Sequence, residues 1–329
     1  DGIRDVERSR GLGDVYKRQV DEGLIDDGLA ERWRRLLAVR DPSAMKTQEE
    51  IMGLLVGFRE EVETAEARNI LETLIVILDV SANEVDEYLV VSEWKALKKL
   101  IFSLPSSAAK IDVVFCDARR LPLPDGCVDL VVTSPPYINV FNYHQQYRRS
   151  AELLGWNVLR IAKSEIGSNR KHRQNRFLTV CQYCLDMFEV LRELHRVCNR
   201  RGHVIIVVGR ESNVRKTPFF NSEIVETIAE RCVGFRCDLR QERAFQNRFG
   251  QTIYEDLLHL VKPRETLATQ AQCEPLTIAR ETLRSAVGRA PGEVQSDLEA
   301  ALQSLATVRP SPLFDISRVR SDCYGVLRI

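Results

Sequence analysis

The stretch VVTSPPYIN, Val131 to Asn139, constrains this chain more than any other part of it. Val131 and Val132 follow Val128 and Leu130, and the β-branched run reads as the end of a buried strand. Pro135 and Pro136 have no N–H to give to a ladder, so the strand must stop there. A stiff loop follows. Two prolines leave it little conformational entropy to lose on ordering, so its carbonyls can be held in fixed directions as hydrogen-bond acceptors. Such acceptors suit an amino group. Ser134 adds a side-chain oxygen, and Tyr137 adds a flat face on which a planar base can stack.

The flanking sequence supplies the fold class. In IDVVFCDARRLPLPDGCVDLVVTSPPY the pattern predicts a strand over Ile111–Phe115, then a polar turn with Asp117 and Arg119. A Pro and Gly turn over Leu121–Gly126 leads to a strand over Val128–Val132. The apolar spacing from Phe177 to Val197 predicts a helix, which runs through NRRG into HVIIVVG, a third buried strand. A helix near Ser222–Cys232 and two more strands, FRCDLRQERAF and YEDLLHLV, complete the series. This alternation predicts an α/β doubly wound sheet with an antiparallel pair near its end. Ligands of such sheets sit at the carboxyl ends of the strands, which is where Asp117 and Ser134 fall.

Ser134-Pro135-Pro136-Tyr137 resembles the catalytic motif of the amino-directed DNA methyltransferases, in which Ser, Asp or Asn precedes Pro-Pro and then Tyr or Phe. The likeness extends through KSEIGSNRKHRQNRFL, VVGRESNVRKTPFF and QERAFQNRFGQTIYEDLLHL, over about Ile111 to Leu260. It implies a Rossmann-like, S-adenosylmethionine-dependent sheet, incomplete at the amino end, with helical additions. It also implies a double-stranded DNA substrate from which one base is flipped. Ser134 and the Pro135 carbonyl would accept hydrogen bonds from the base amine, and Tyr137 would stack on the ring. The serine form of the motif leans to cytosine N4, the Asp and Asn forms to adenine N6. By position, Asp117 matches the family's polar residue near the cofactor adenine, although an Asp at a strand end is also an ordinary turn residue. Asn139, Asn142 and Tyr143 follow the motif closely enough to line the same pocket.

The segment Arg160–Arg176, RIAKSEIGSNRKHRQNR, sets six cations against Glu165. It is either a solvated face or a DNA-phosphate contact through residues such as Lys163, Arg170, Lys171, Arg173 and Arg176. Lys+Arg and Asp+Glu both total 47 in the 329 residues, so any attraction to nucleic acid has to be local.

One family feature is absent. The glycine loop that follows the first strand in these enzymes has no counterpart, because the G-x-G at Gly11 and Gly13 lies in DGIRDVERSRGLGDVYKRQ. That stretch, residues 1–19, resembles a translated linker scar. The expectation is a chain whose amino-terminal part is missing and which binds S-adenosylmethionine weakly or not at all. Residues 20–110 read as amphipathic helices, with Thr47 a candidate cap and Glu50 three residues on. Residues 111–262 form the catalytic part, and residues 263–329 an extension with one helical stretch and no chemical motif.

Nine scattered cysteines imply reduced thiols and a cytoplasmic location. Cys181 and Cys184 share C-x-x-C spacing but lie on a helical pattern, where a packed face is expected in place of a metal site. No apolar run approaches the roughly 20 residues of a membrane span. Two further functional readings remain: an RNA base-amine methyltransferase, which usually has Asn first in the motif, and an inactive DNA-binding relic.

Overall fold

Where apolar residues recur three and four apart, the chain is helical. The computed structural model describes residues 48–81, 84–105, 111–138, 147–167, 174–247, 249–263 and 273–315, with residues 28, 109, 145 and 172. Two compact units result, one drawn from residues up to 115 and from 144–158, the other from 116–143 and 159–318.

The first unit is helical. Helix α1 (Gln48–Glu61) buries Ile51, Met52, Leu55 and Phe58 on one stripe. Helix α2 (Ala65–Ser81) contributes Ile70, Leu71, Leu74, Ile75 and Leu78, and α3 (Glu87–Ser103) contributes Val90, Trp94, Leu97 and Ile101 to the same core. Asp86 caps α3, its carboxylate accepting the Leu89 N–H at 2.7 Å. The short α4 (Arg148–Leu153) is tied to α2 by the Ser150 N–H, which donates to Asp79 at 2.9 Å. Thr47, the candidate cap, lies outside the described residues.

Ile111–Phe115, expected as a strand, has no regular structure, and most of its side chains are exposed. Phe115 makes an edge-to-face contact with Trp156 at 5.6 Å between ring centroids. A β-branched run becomes a strand only when a neighbour completes its ladder, and among the described residues no strand pairs with this one.

The second unit is built on a four-stranded sheet in the order β1 (Val128–Thr133), β2 (Cys198–Gly209), β6 (Thr252–Val261), β5 (Arg236–Gln246). β1 and β2 are parallel, while β2–β6 and β6–β5 are antiparallel. The class is therefore α/β with a mixed sheet. A separate hairpin pairs β3 (Glu211–Val214) with β4 (Thr217–Phe220).

Alternation along the strands sends Val204, Ile206 and Val208 of β2 and Leu258 and Leu260 of β6 into one core. That core also takes Cys181, Tyr183, Cys184, Met187 and Leu191 of α5 (Leu178–Val197), and Ile224, Val225 and Ile228 of α6 (Asn221–Ile228). Ile278, Ala279 and Leu283 of α7 (Pro275–Ala286) and Leu298 of α8 (Gln295–Ser304) complete it. β1, expected as a buried strand, has no buried residue, because it is the edge of the sheet among the described residues; on its alternate face Leu130 and Val132 are 56% and 65% exposed. Helix α6 runs on through a π turn, Ala229–Val233, and Gly234 ends it at φ 93°, a left-handed conformation that glycine takes without steric cost.

Candidate functional site

The parallel register of β1 and β2, with Thr133 opposite Ile206, delivers Ser134 and Gly209 to the same rim of the sheet. β6 begins at that rim because it runs the other way. Its Glu255 stands opposite Gly209 on one side and Arg243 of β5 on the other. Three strands thus place Gly209, Glu255 and Arg243 in a row beside the Ser134-Pro135-Pro136-Tyr137 loop.

In that loop Ser134 is exposed, Pro135 is buried, and Pro136 and Tyr137 are half-buried. The Tyr137 hydroxyl donates to Glu255 Oε1 at 3.0 Å and lies 3.3 Å from Ser134 Oγ. Glu255 Oε2 accepts from Arg243 Nε at 3.0 Å and Nη2 at 2.5 Å. Burial, with the Glu255 carboxylate alongside, pushes the Tyr137 phenol above its ordinary range.

Two glycines make room for the tyrosine. A Cβ on Gly209 would lie 2.7 Å from Tyr137 Cε2, and one on Gly167, at φ 71°, would lie 2.9 Å from the Tyr137 carbonyl oxygen. Asn221, fully buried at the start of α6, ties the loop down from the other side. It accepts the Ile138 N–H at 3.4 Å and donates from Nδ2 to the Gly209 carbonyl at 3.0 Å and to Ser212 Oγ at 2.8 Å. The loop is therefore pinned by its neighbours as well as stiffened by its prolines.

Beside Glu255, Asp256 is buried and bound by Arg210 at 3.0 Å and Arg240 at 2.7 Å. Burial alone would raise its pKa, but Arg210, Ser222 and Arg240 hold the carboxyl below the usual carboxylate range. The rim behind Tyr137 is a network of compensated charges.

Asp117 is engaged from all sides. Oδ1 accepts from the Arg119 N–H and Nε, both at 2.9 Å. Oδ2 accepts from Arg119 Nη2 at 2.7 Å and from the Phe314 N–H at 2.8 Å. Four bonds fill the sites a carboxylate offers. Burial opposes ionisation, yet Arg119 and the Phe314 N–H outweigh it and lower the pKa. Arg119 reaches further, donating to the buried Asp186 at 3.1 Å and to the Ser311 and Pro312 carbonyls at 2.6 and 2.9 Å. Ser311 in turn donates to Asp186 from its N–H and its hydroxyl, each at 2.7 Å. Asp117 thus helps, with Arg119, to buckle residues 311–314 onto the rest of the second unit. Its carboxylate would have to give up these bonds to hold a cofactor.

Of the other expected site residues, Lys163 and Arg176 are exposed. Asn139, Asn142, Tyr143, Arg170, Lys171 and Arg173 lie outside the described residues. Cys181 and Cys184 are in the core of the unit, and burial pushes the Cys181 thiol up to about 12. Among the described residues no cluster of His, Cys, Asp and Glu could hold a metal ion, and no helix is long and apolar enough to cross a membrane.

The sequence reading missed Asn221, Glu255, Arg243 and the Arg119–Asp186–Ser311 buckle. A signal existed for one of them: two acidic residues, Glu255 and Asp256, sit inside an otherwise largely apolar strand, and a carboxylate in such a place needs partners.

No family profile matches the chain. Over 98 residues it is 29% identical to the type II methyltransferase M.MjaII of Methanocaldococcus jannaschii, a stretch that makes up 30% of this chain and 18% of that relative. The chain thus spans under a fifth of that relative's length. Among solved structures it is similar to TTHA0409 of Thermus thermophilus, described as a DNA modification methylase. The identity is 22%, with 54% of this chain and 59% of that one covered and a TM-score of 0.27. The same protein complexed with S-adenosyl-L-methionine matches at 20% identity and the same TM-score.

Proposed function

We propose that this chain carries the base-binding and catalytic unit of a DNA methyltransferase acting on the exocyclic amine of a flipped base, cytosine N4 in preference to adenine N6. The observation that carries the proposal is the pinned Ser134-Pro135-Pro136-Tyr137 loop at the carboxyl end of a parallel strand. The local identity to a type II methyltransferase supports the methyltransferase part of this reading.

The chemistry asked of these residues is modest. A base amine is a poor nucleophile because its lone pair is delocalised into the ring. Ser134 Oγ and the Pro135 carbonyl oxygen, accepting its two N–H bonds, draw the nitrogen towards tetrahedral geometry and aim its lone pair. Tyr137 offers the ring on which the flipped base stacks. S-Adenosylmethionine supplies, when bound, an electrophilic methyl on a sulfonium. The residues at hand fit the base better than this donor: Asp117, the one expected cofactor contact, is committed to Arg119 and Phe314. Lys163 and Arg176, with Arg170, Lys171 and Arg173, are the proposed phosphate contacts on duplex DNA. Asn139, Asn142 and Tyr143 are the proposed pocket lining. A DNA substrate and reduced thiols fit a cytoplasmic location.

The test is transfer of a labelled methyl group from S-adenosylmethionine to duplex DNA and, in parallel, to structured RNA, by the chain and by Ser134→Ala. Transfer to DNA that falls by about a hundredfold in Ser134→Ala supports the proposal. Transfer to RNA alone overturns it.

A further inference from the structure

We infer that Glu255, backed by Arg243, is a positioning residue that fixes the Tyr137 ring beside the Ser134-Pro135-Pro136 loop; the role rests on the proposal that this loop receives a base.

The two carboxylate oxygens of Glu255 divide the work. Oε2 takes both Arg243 bonds, which leaves Oε1 to accept the Tyr137 hydroxyl at 3.0 Å. Glu255 is only 8% exposed, although it stands at a rim where an ordinary cross-strand ion pair would stay in water. Burying a carboxylate is costly unless charge and hydrogen bonds compensate it, and here the compensation comes from Arg243 and Tyr137 together. The backbone enforces the arrangement, because the antiparallel registers place Gly209, Glu255 and Arg243 directly opposite one another. Gly209 leaves the space that the ring edge fills.

A tyrosine has two side-chain torsions, and a hydroxyl anchored at the far end of the ring removes most of the freedom in both. A stacking face that already stands where the base arrives loses little entropy on binding, whereas a loose one must be ordered first. Glu255 therefore acts through Tyr137 and touches no substrate itself.

The full chain labelled with 3-fluorotyrosine tests this by fluorine NMR, the Tyr137 resonance being identified by its loss in Tyr137→Phe. In Glu255→Gln the acceptor oxygen stays and the negative charge goes, so Tyr137 should titrate at lower pH than in the unsubstituted chain. Methyl transfer to duplex DNA at one fixed S-adenosylmethionine concentration gives the functional readout. Glu255→Ala and Tyr137→Phe should each lower the rate on the order of tenfold, the value of a hydrogen bond to a charged group. The double variant should be no slower than either single one, and Glu255→Gln should recover most of the rate. An unchanged Tyr137 titration in Glu255→Gln, or losses that multiply in full in the double variant, overturns the role. If the unsubstituted chain transfers no methyl to DNA, the functional proposal fails, and the titration by itself decides whether Glu255 holds Tyr137.

Discussion

Gly209→Ala should destabilise this protein, and removing the one side chain packed against Gly209 should reverse the sign of its effect. The three atoms nearest to a Cβ at position 209 all belong to Tyr137: Cε2 at 2.7 Å, Cδ2 at 2.8 Å and Cζ at 3.4 Å. Carbon atoms in contact prefer about 3.5–4.0 Å, so the ring has to retreat by about 1 Å. It cannot do so freely, because its hydroxyl is held by Glu255 and its carbonyl lies against Gly167. Overpacking of this kind costs about 1–3 kcal/mol. Gly209 is not among the glycines with positive φ, so alanine is otherwise acceptable there. Where nothing clashes, Gly→Ala stabilises by about 0.4–1 kcal/mol through the unfolded chain. Urea denaturation followed by circular dichroism should therefore show a loss for Gly209→Ala in the natural background and a small gain in a Tyr137→Ala background. An equal loss in both backgrounds would refute the packing of Tyr137 on the end of β2.

Two further predictions follow from the charges. Asp117 has a folded-state pKa below its unfolded value of about 3.9, so its contribution to stability is present above that pH and is lost as pH falls through the folded pKa. Acid unfolding of Asp117→Asn should accordingly show less loss of stability below about pH 4 than the unsubstituted chain. Its affinity for S-adenosylmethionine by calorimetry should be unchanged, since the carboxylate is engaged by Arg119 and Phe314. If the exposed Lys163 and Arg176 contact phosphate, replacing either by Gln should reduce the slope of log affinity for DNA against log salt by about 0.9. An unaltered slope would make them solvated surface.

What could be read from the sequence was what is local. The β1 strand and its end were legible because β-branched residues meet Pro135 and Pro136 within a few positions. The α5 helix was legible because its apolar spacing persists for 20 residues. Ile111–Phe115 has the composition of a strand but not the neighbour that makes one, and composition carries no information about a partner. The partners that pin the loop were hidden for the opposite reason. Glu255 lies 118 positions from Tyr137, and Asn221 lies 83 from Ile138; the sheet register brings the first pair together, and the placement of α6 after the β3–β4 hairpin brings the second. Asp117 was read as a residue facing a ligand because it follows an expected strand. Its engagement depends on Phe314, 197 residues away. A short motif can thus announce a chemistry, while the residues that hold it in place are set by topology.

The most direct test of the central claim is nucleoside mass spectrometry of duplex DNA, free of prior methylation, after incubation with the chain and S-adenosylmethionine. N4-Methylcytosine is expected, absent when Ser134 is replaced by Ala; N6-methyladenine in its place would keep the amine chemistry and correct the base. DNA without any methylated base amine, at S-adenosylmethionine concentrations high enough to fill a weak site, would contradict the claim.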